Sequence, residues 1–516
     1  MRSLFRRKHT SMITALTKNE VTVLDEPELE FRYGQRLTLP HTGLSLFGPF
    51  DAGTGASPRG ISYALIGARE GLDSFKAFAN LMRGPVQSPP DKKPTLWPLF
   101  PGFDVAFGLD WPAEPAWEVQ VDRIKLLEAA SVSDRYQRVH QVVNLILDPI
   151  EKAQKRDEQP RVLVCVIPDE VWKSCRPDQQ VVNGIGEKVS ASETRSRVRG
   201  DRSLFDTYDR EVYQLAPDFR RQLKARVMKF GTPIQIVRES TLGLGADKRF
   251  SYRGLTPIPD RMWNLATALY YKCGGKPWRL ATAREGVCYV GIAFRLQNPG
   301  QNSRNGCCAA QMFLDDGDGV VFLGEYGPWY APKSKQFHLA PDAAKSLLKG
   351  VIETYQDLHG KPLREVFLHS RSGIDAEEFE GYKAAVPSGT KVVAVRVRSG
   401  NPSLRLFRQG TRPVLRGTFL SIDEHRGYLW TSGFKPELMT YDGGDVPVPL
   451  SLEVQHGEAN IEQVARDVFG LTKLNYNACK LGDSRPVTVG FSDAVGEILI
   501  SNPSVLDRRP QFRFYV

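Results

Sequence analysis

Arg220, Lys224, Gln235 and Lys272 sit close together in the sequence and offer three cations and one amide. A terminal phosphate carries nearly two negative charges and several acceptor oxygens, which such a set can satisfy. Arg220 and Lys224 are four residues apart in PDFRRQLKARVMKFG, a spacing that places both on one face of a helix. Pro217 fits the first turn of that helix, Phe219, Leu223 and Val227 give it an apolar stripe, and Gly231 fits its stop. PIQIV then reads as a short strand carrying Gln235, and RMWNLATALYYK as a second helix ending at Lys272 before a Gly-Gly pair. Each residue taken singly fits a solvated basic surface. The set, with its spacings, points to a phosphate pocket.

Little else in the chain offers chemistry at a recognisable spacing. The seven cysteines are odd in number, scattered and without a CxxC pair, and read as reduced structural thiols. The neighbours Cys307 and Cys308 cannot form an ordinary disulfide with each other. Asp315-Asp316-Gly317-Asp318-Gly319 lacks the alternating oxygens of a calcium loop, and Gly317 and Gly319 mark a hairpin turn. His369 lies on an apolar strand and reads as a core histidine. LGLGADK lacks the helix context of a P-loop, and no Ser-His-Asp or Cys-His arrangement can be assigned.

The elements that position the phosphate set belong to a chain of 516 residues, enough for about three domains. A formal net charge of +10 suits a polyanionic partner without specifying one. No apolar run reaches the length of a membrane span, and the start MRSLFRRKHTSMITAL lacks a continuous apolar core, so the cytoplasm is the expected location. Residues 1–155 form a mixed leading region. There GLSLFGPFDAG reads as a strand ending in turns, GISYALIG as a buried strand, FKAFANLM as a short amphipathic helix and RYQRVHQVVNLILDPIEKA as a longer one. Residues 156–277 form an α/β unit in which RVLVCVIP is a central parallel strand and GIGEKVSASETRSRVRGDR a mobile polar loop. From residue 278 to 516 a β-meander is followed by alternating helices and strands, the layout of an RNase-H-like domain.

The phosphate set resembles the MID domain of Argonaute proteins, with Asn264 opening the last motif, NLATALYYKCGG. The remainder resembles the PIWI domain, and RPVTVGFSDAVGEIL is similar to the end of PIWI sequences. GLSLFGPFD also resembles the linker that precedes MID in prokaryotic members. The resemblance implies a Rossmann-like MID domain followed by an RNase-H-like PIWI domain, in the size and order of a short prokaryotic Argonaute without a PAZ segment. It implies a 5′-phosphate pocket of Arg220, Lys224, Gln235, Asn264 and Lys272, and a Mg²⁺ shared by Gln235 and the carboxylate of Val516, whose aromatic approach RRPQFRFYV is expected to dock into the core.

PIWI nucleases hold two metals with clustered carboxylates, and here Ala293 stands at the first such position and Ser372 at the strand position before Gly373. Asp493 is retained, and Glu325 is a candidate for the loop glutamate. The expectation is therefore no slicing by this chain. Its partners would be a short 5′-phosphorylated guide, RNA rather than DNA, a complementary DNA target, and an APAZ protein bearing a TIR, sirtuin-like or nuclease effector that defends against plasmids or phage. The competing readings are an active nuclease using Asp315, Glu325 and Asp493, and a nucleic-acid scaffold that uses no guide.

Overall fold

The computed structural model describes residues 20–177, 179–201, 208–244, 255–296, 306–313, 319–331, 336–359, 363–400, 404–441, 443–499, 501 and 509–516. Two sheets organise the chain. The first holds four parallel strands, β1 (Tyr63–Gly67), β2 (Trp117–Gln120), β3 (Val162–Ile167) and β4 (Ile234–Arg238), in the order β2-β1-β3-β4. Every residue of β1 and β3 is buried, as apolar runs covered on both faces require. Helix α1 (Arg135–Ala153) is started by Asp134, whose carboxylate accepts the Tyr136 amide at 2.8 Å, and it lays Val139, Val142, Val143 and Ile146 on this sheet. Two of the four strands precede residue 155, so the sheet spans the boundary drawn there from sequence.

The second sheet has nine strands. Strands β5 (Val287–Leu296), β6 (Gly306–Phe313) and β7 (Gly319–Gly327) form an antiparallel meander. Strands β8 (Glu365–Ser370) and β9 (Lys391–Ser399) join it, with β8 lying parallel to both β5 and β9. The order β7-β6-β5-β8-β9 is the RNase-H-like arrangement. It continues through three antiparallel strands, β12 (Leu450–His456), β11 (Arg426–Trp430) and β10 (Thr418–Ser421), to an edge strand, Val21–Val23. The architecture is mixed α/β, a parallel-sheet unit followed by a large mixed sheet.

Two readings of the sequence are corrected. GLSLFGPFDAG begins inside a helix, Pro40–Phe47, because Pro40 suits a first turn, Gly43–Phe47 lacks β-branched residues, and Gly48 closes it at φ +79°. GIGEKVSASETRSRVRGDR contains another, Ala191–Arg199, where Ser190 accepts the Glu193 amide at 3.1 Å and Gly200 supplies the stop at φ +79°. Ser190 followed three residues later by Glu193 is a capping-box pattern that the polar composition obscured. The Gly317 turn, Asp315 and part of LGLGADK lie outside the described residues, as do the side chains of Cys307 and Cys308.

Candidate anion-binding site

Arg220 and Lys224 stand on helix α2 (Phe219–Val227), which begins at Asp218 rather than at Pro217. The Asp218 carboxylate caps it by accepting the Arg221 amide at 2.9 Å. Gly231, at φ +71°, closes the 3₁₀ turn that extends the helix, as expected. Lys272 is the last residue of helix α3 (Ile258–Lys272), and Gly274, at φ +103°, turns the chain away. The two helices bring the lysines onto the same acceptor. Lys224 Nζ donates to the main-chain oxygens of Tyr515 at 3.1 Å and of Val516 at 2.5 Å, and Lys272 Nζ also donates to Val516 O. Both lysines are buried, at 3% and 1% exposure.

The electrostatics are one-sided. Burial, followed by the charges of Arg220 and Lys272, holds the Lys224 ammonium well below its ordinary range. Burial and then the Arg220 charge lower Lys272 to about 7. Among the described residues, no acidic side chain offsets either lysine. Arg220 is lowered mainly by burial and feels the carboxylates of Asp218 and Glu497. It lines a cavity of about 110 Å³ with Trp172, Arg176 and Arg221. Lys224 and Lys272 share the Val516 carboxylate as their close anionic partner, and with Arg220 beside them the positive charge exceeds the single negative charge it supplies.

The acceptor end is built as expected from the aromatic tail. Phe512, Phe514, Tyr515 and Val516 are all buried, the Val321 amide donates to Pro510 O at 2.7 Å, and the Phe512 ring meets Phe313 edge-on at 5.4 Å.

Gln235 and Asn264 line a second cavity, of about 420 Å³, at the carboxyl end of β4, where parallel α/β sheets offer ligand sites. Gln235 Nε2 donates to Ile236 O at 3.3 Å. Asn264 is bound into the scaffold: its oxygen accepts the Cys479 amide at 2.8 Å and its NH₂ reaches Asp260 at 3.3 Å. Trp172 lines both cavities, with the guanidinium groups of Arg176 and Arg238 over its ring at 5.4 and 5.7 Å. The sequence reading passed over this tryptophan, although an aromatic wall beside a cation cluster can stack a base. Its only sequence signal is its place on the helix that follows central strand β3.

The magnesium expectation meets a different environment. Val516 O is already held by two lysines, and the other expected ligand is the neutral amide of Gln235. The Val516 carboxylate together with the phosphates of a bound guide would be the anionic oxygens such an ion needs, and an ion there would have to share that carboxylate with Lys224 and Lys272.

At the expected cutting centre, Ala293 lies on β5, 5% exposed, beyond the point where Ile292 pairs with Ser370 at the end of β8. Ser372 follows in the bend after β8. The strands are closed over by helix Val487–Gly490, whose Thr488 carbonyl would lie 2.0 Å from any Cβ at Gly291, a contact only glycine permits. His369 is a core residue: Nδ1 lies 2.9 Å from Thr488 Oγ1, and burial lowers its pKa to about 3. Asp493 falls on helix Ser492–Leu499 and Glu325 on β7, with side chains outside the described residues.

No known family matches the sequence, and no curated protein does. The fold is similar to solved Argonaute structures. Clostridium butyricum Argonaute bound to a guide DNA and a 19-mer target DNA gives a TM-score of 0.59 at 14% identity over 94% of this chain. Aa-Ago with externally bound siRNA gives 0.56 at 13% identity over 96%, and A. aeolicus Argonaute gives 0.54 at 14% over 93%. The chain spans about half the length of these proteins, 54%, 56% and 53% respectively. The chain therefore has an Argonaute-like fold. Among the described residues, no helix is long and apolar enough to cross a membrane.

Proposed function

We propose that this chain holds the 5′-phosphorylated end of a short guide strand and presents the guide to a complementary target. The observation that carries the reading is the convergence of Lys224 and Lys272 on one oxygen beside Arg220, with no acidic side chain among the described residues to offset either lysine. A phosphate brings the missing charge and enough acceptors for all three donors. Gln235 and Trp172 would shape the neighbouring space for the first nucleotide. The likeness in fold to an Argonaute bound to guide and target DNA supports the same reading.

Slicing is not part of the proposed activity. Ala293 and Ser372 give a methyl and a hydroxyl where two-metal cleavage needs anionic oxygens. The working form would then be a cytoplasmic complex with an APAZ-containing effector, switched on by target pairing, with RNA as guide and DNA as target. The test is to purify the chain from cells and characterise its associated nucleic acid and protein. A bound pool of short 5′-phosphorylated oligonucleotides together with a stoichiometric effector chain is expected. Nucleic acid of mixed ends and lengths, removable by salt alone, would instead indicate a scaffold that reads only the phosphate backbone.

A further inference from the structure

Away from the lysine cluster, a second group of side chains brings ligand atoms together. His338 follows the strand Gln336–Phe337, while Asp375 and Glu378 open the helix Ala376–Lys383 as its N-cap and third residue. Their ligand atoms all lie within 4.8 Å of one another. His338 Nδ1 is 3.4 Å from Asp375 Oδ2 and 3.5 Å from Glu378 Oε2. By hydrogen-bond geometry His338 Nδ1 and Glu378 Oε2 are buried without a partner, the Glu378 side chain is only 1% exposed, and burial pushes its carboxyl up to about 8 although the Leu339 amide lies close enough to lower it.

The opposite atom of each group is already engaged. His338 Nε2 meets Gln336 Oε1 at 3.3 Å, Asp375 Oδ1 accepts the Glu378 amide at 2.8 Å, and Glu378 Oε1 accepts the Tyr382 hydroxyl at 3.0 Å. In the neutral ring, a proton on Nε2 donated to the Gln336 amide oxygen leaves the Nδ1 lone pair for a cation held between it and the two carboxylates. This is the outer support that orients metal ligands.

Separation distinguishes a metal from a shared proton. A charged hydrogen bond would draw nitrogen and oxygen to about 2.7–2.9 Å. Around a tetrahedral ion with bonds of roughly 2.0–2.1 Å, adjacent ligands stand about 3.3 Å apart. The separations of 3.4 and 3.5 Å agree with the second case. One imidazole with two carboxylates favours a first-row divalent ion over magnesium or calcium.

We propose that His338 Nδ1, Asp375 Oδ2 and Glu378 Oε2 bind a zinc-class divalent cation, with solvent completing the shell on the half-exposed Asp375 side. The ion would tie the segment after Gln336–Phe337 to the start of helix Ala376–Lys383. Asp375 lies three residues beyond Ser372, in a part of the fold separate from the lysine cluster.

The full chain, stripped with a chelator, is titrated with Zn²⁺ by calorimetry and, in parallel, with Co²⁺ by absorption. One equivalent should bind, with the cobalt spectrum of nitrogen and oxygen ligands and no thiolate charge-transfer band. His338→Ala and Asp375→Asn should abolish this binding, the latter keeping a capping side chain. Gln336→Ala should weaken it by roughly 10–100-fold. Lack of saturable binding by the unmutated chain, a thiolate band, or undiminished binding in a folded Asp375→Asn protein would each overturn the site. If His338→Ala fails to fold, the cobalt spectrum and the asparagine variant still decide.

Discussion

Lys272 illustrates a side chain whose cost to the empty protein is its use to the loaded one. Its pKa falls from 10.5 to about 7 on folding, so between those values the unfolded chain holds a proton that the folded chain releases. Guide-free stability should thus rise with pH across that window, and the full penalty, roughly 5 kcal/mol, applies at and below pH 7. Lys272→Met removes the charge at similar volume. In thermal melts without nucleic acid, it should raise Tm at pH 7, with the gain shrinking toward pH 10. A variant that melts lower at every pH would show that the bond to Val516 O outweighs the burial of charge. On the reading in which Lys224 and Lys272 supply the positive charge, preference for a 5′-phosphate should persist in EDTA and fall as pH rises from 7 to 9. Collapse of that preference in EDTA at constant pH would restore the magnesium reading.

Among elements, the tightest junction is the one between β5 and helix Val487–Gly490. Gly291→Ala places a methyl against the Thr488 carbonyl backbone, which no side-chain rotation relieves. It should destabilise the large sheet by several kcal/mol, about 3 or more, read as a loss of Tm or of soluble protein. A neutral Gly291→Ala would mean the helix can withdraw from the sheet. The same elements show what the sequence made legible. The helix carrying Arg220 and Lys224, the strand carrying Gln235 and the helix ending at Lys272 all form where periodicity placed them, because each has a stop or cap next to an apolar stripe. Periodicity says nothing of what lies 244 residues away, so Lys272 meeting Val516 had to come from resemblance. The helix Ala191–Arg199 was hidden because its stability comes from a cap and from ion pairs of Arg197 with Glu187 and Glu193, not from an apolar face. Trp172 and the trio His338, Asp375 and Glu378 were illegible for a related reason: single residues acquire a role only when loops bring them together.

For the whole molecule, the account divides binding from cutting. The parallel-sheet unit and the docked segment 509–516 form the cation cluster, while Ala293 on the large sheet and Ser372 just after β8 stand at the positions expected to hold cleavage carboxylates. Incubating the purified chain with guide, complementary target and Mn²⁺ should leave the target intact. Guide-directed cleavage by chain free of any partner would revive the nuclease reading.

The central claim is tested most directly by guide affinity in a thermodynamic cycle. Binding of one oligonucleotide with a 5′-phosphate or a 5′-hydroxyl is measured for the unmutated chain, Lys224→Ala and Lys272→Ala at pH 7. Each substitution should cost on the order of 1–3 kcal/mol with the phosphate and almost nothing with the hydroxyl. Equal losses for both ends would contradict the account, since the lysines would then belong to a basic surface indifferent to the end of the strand.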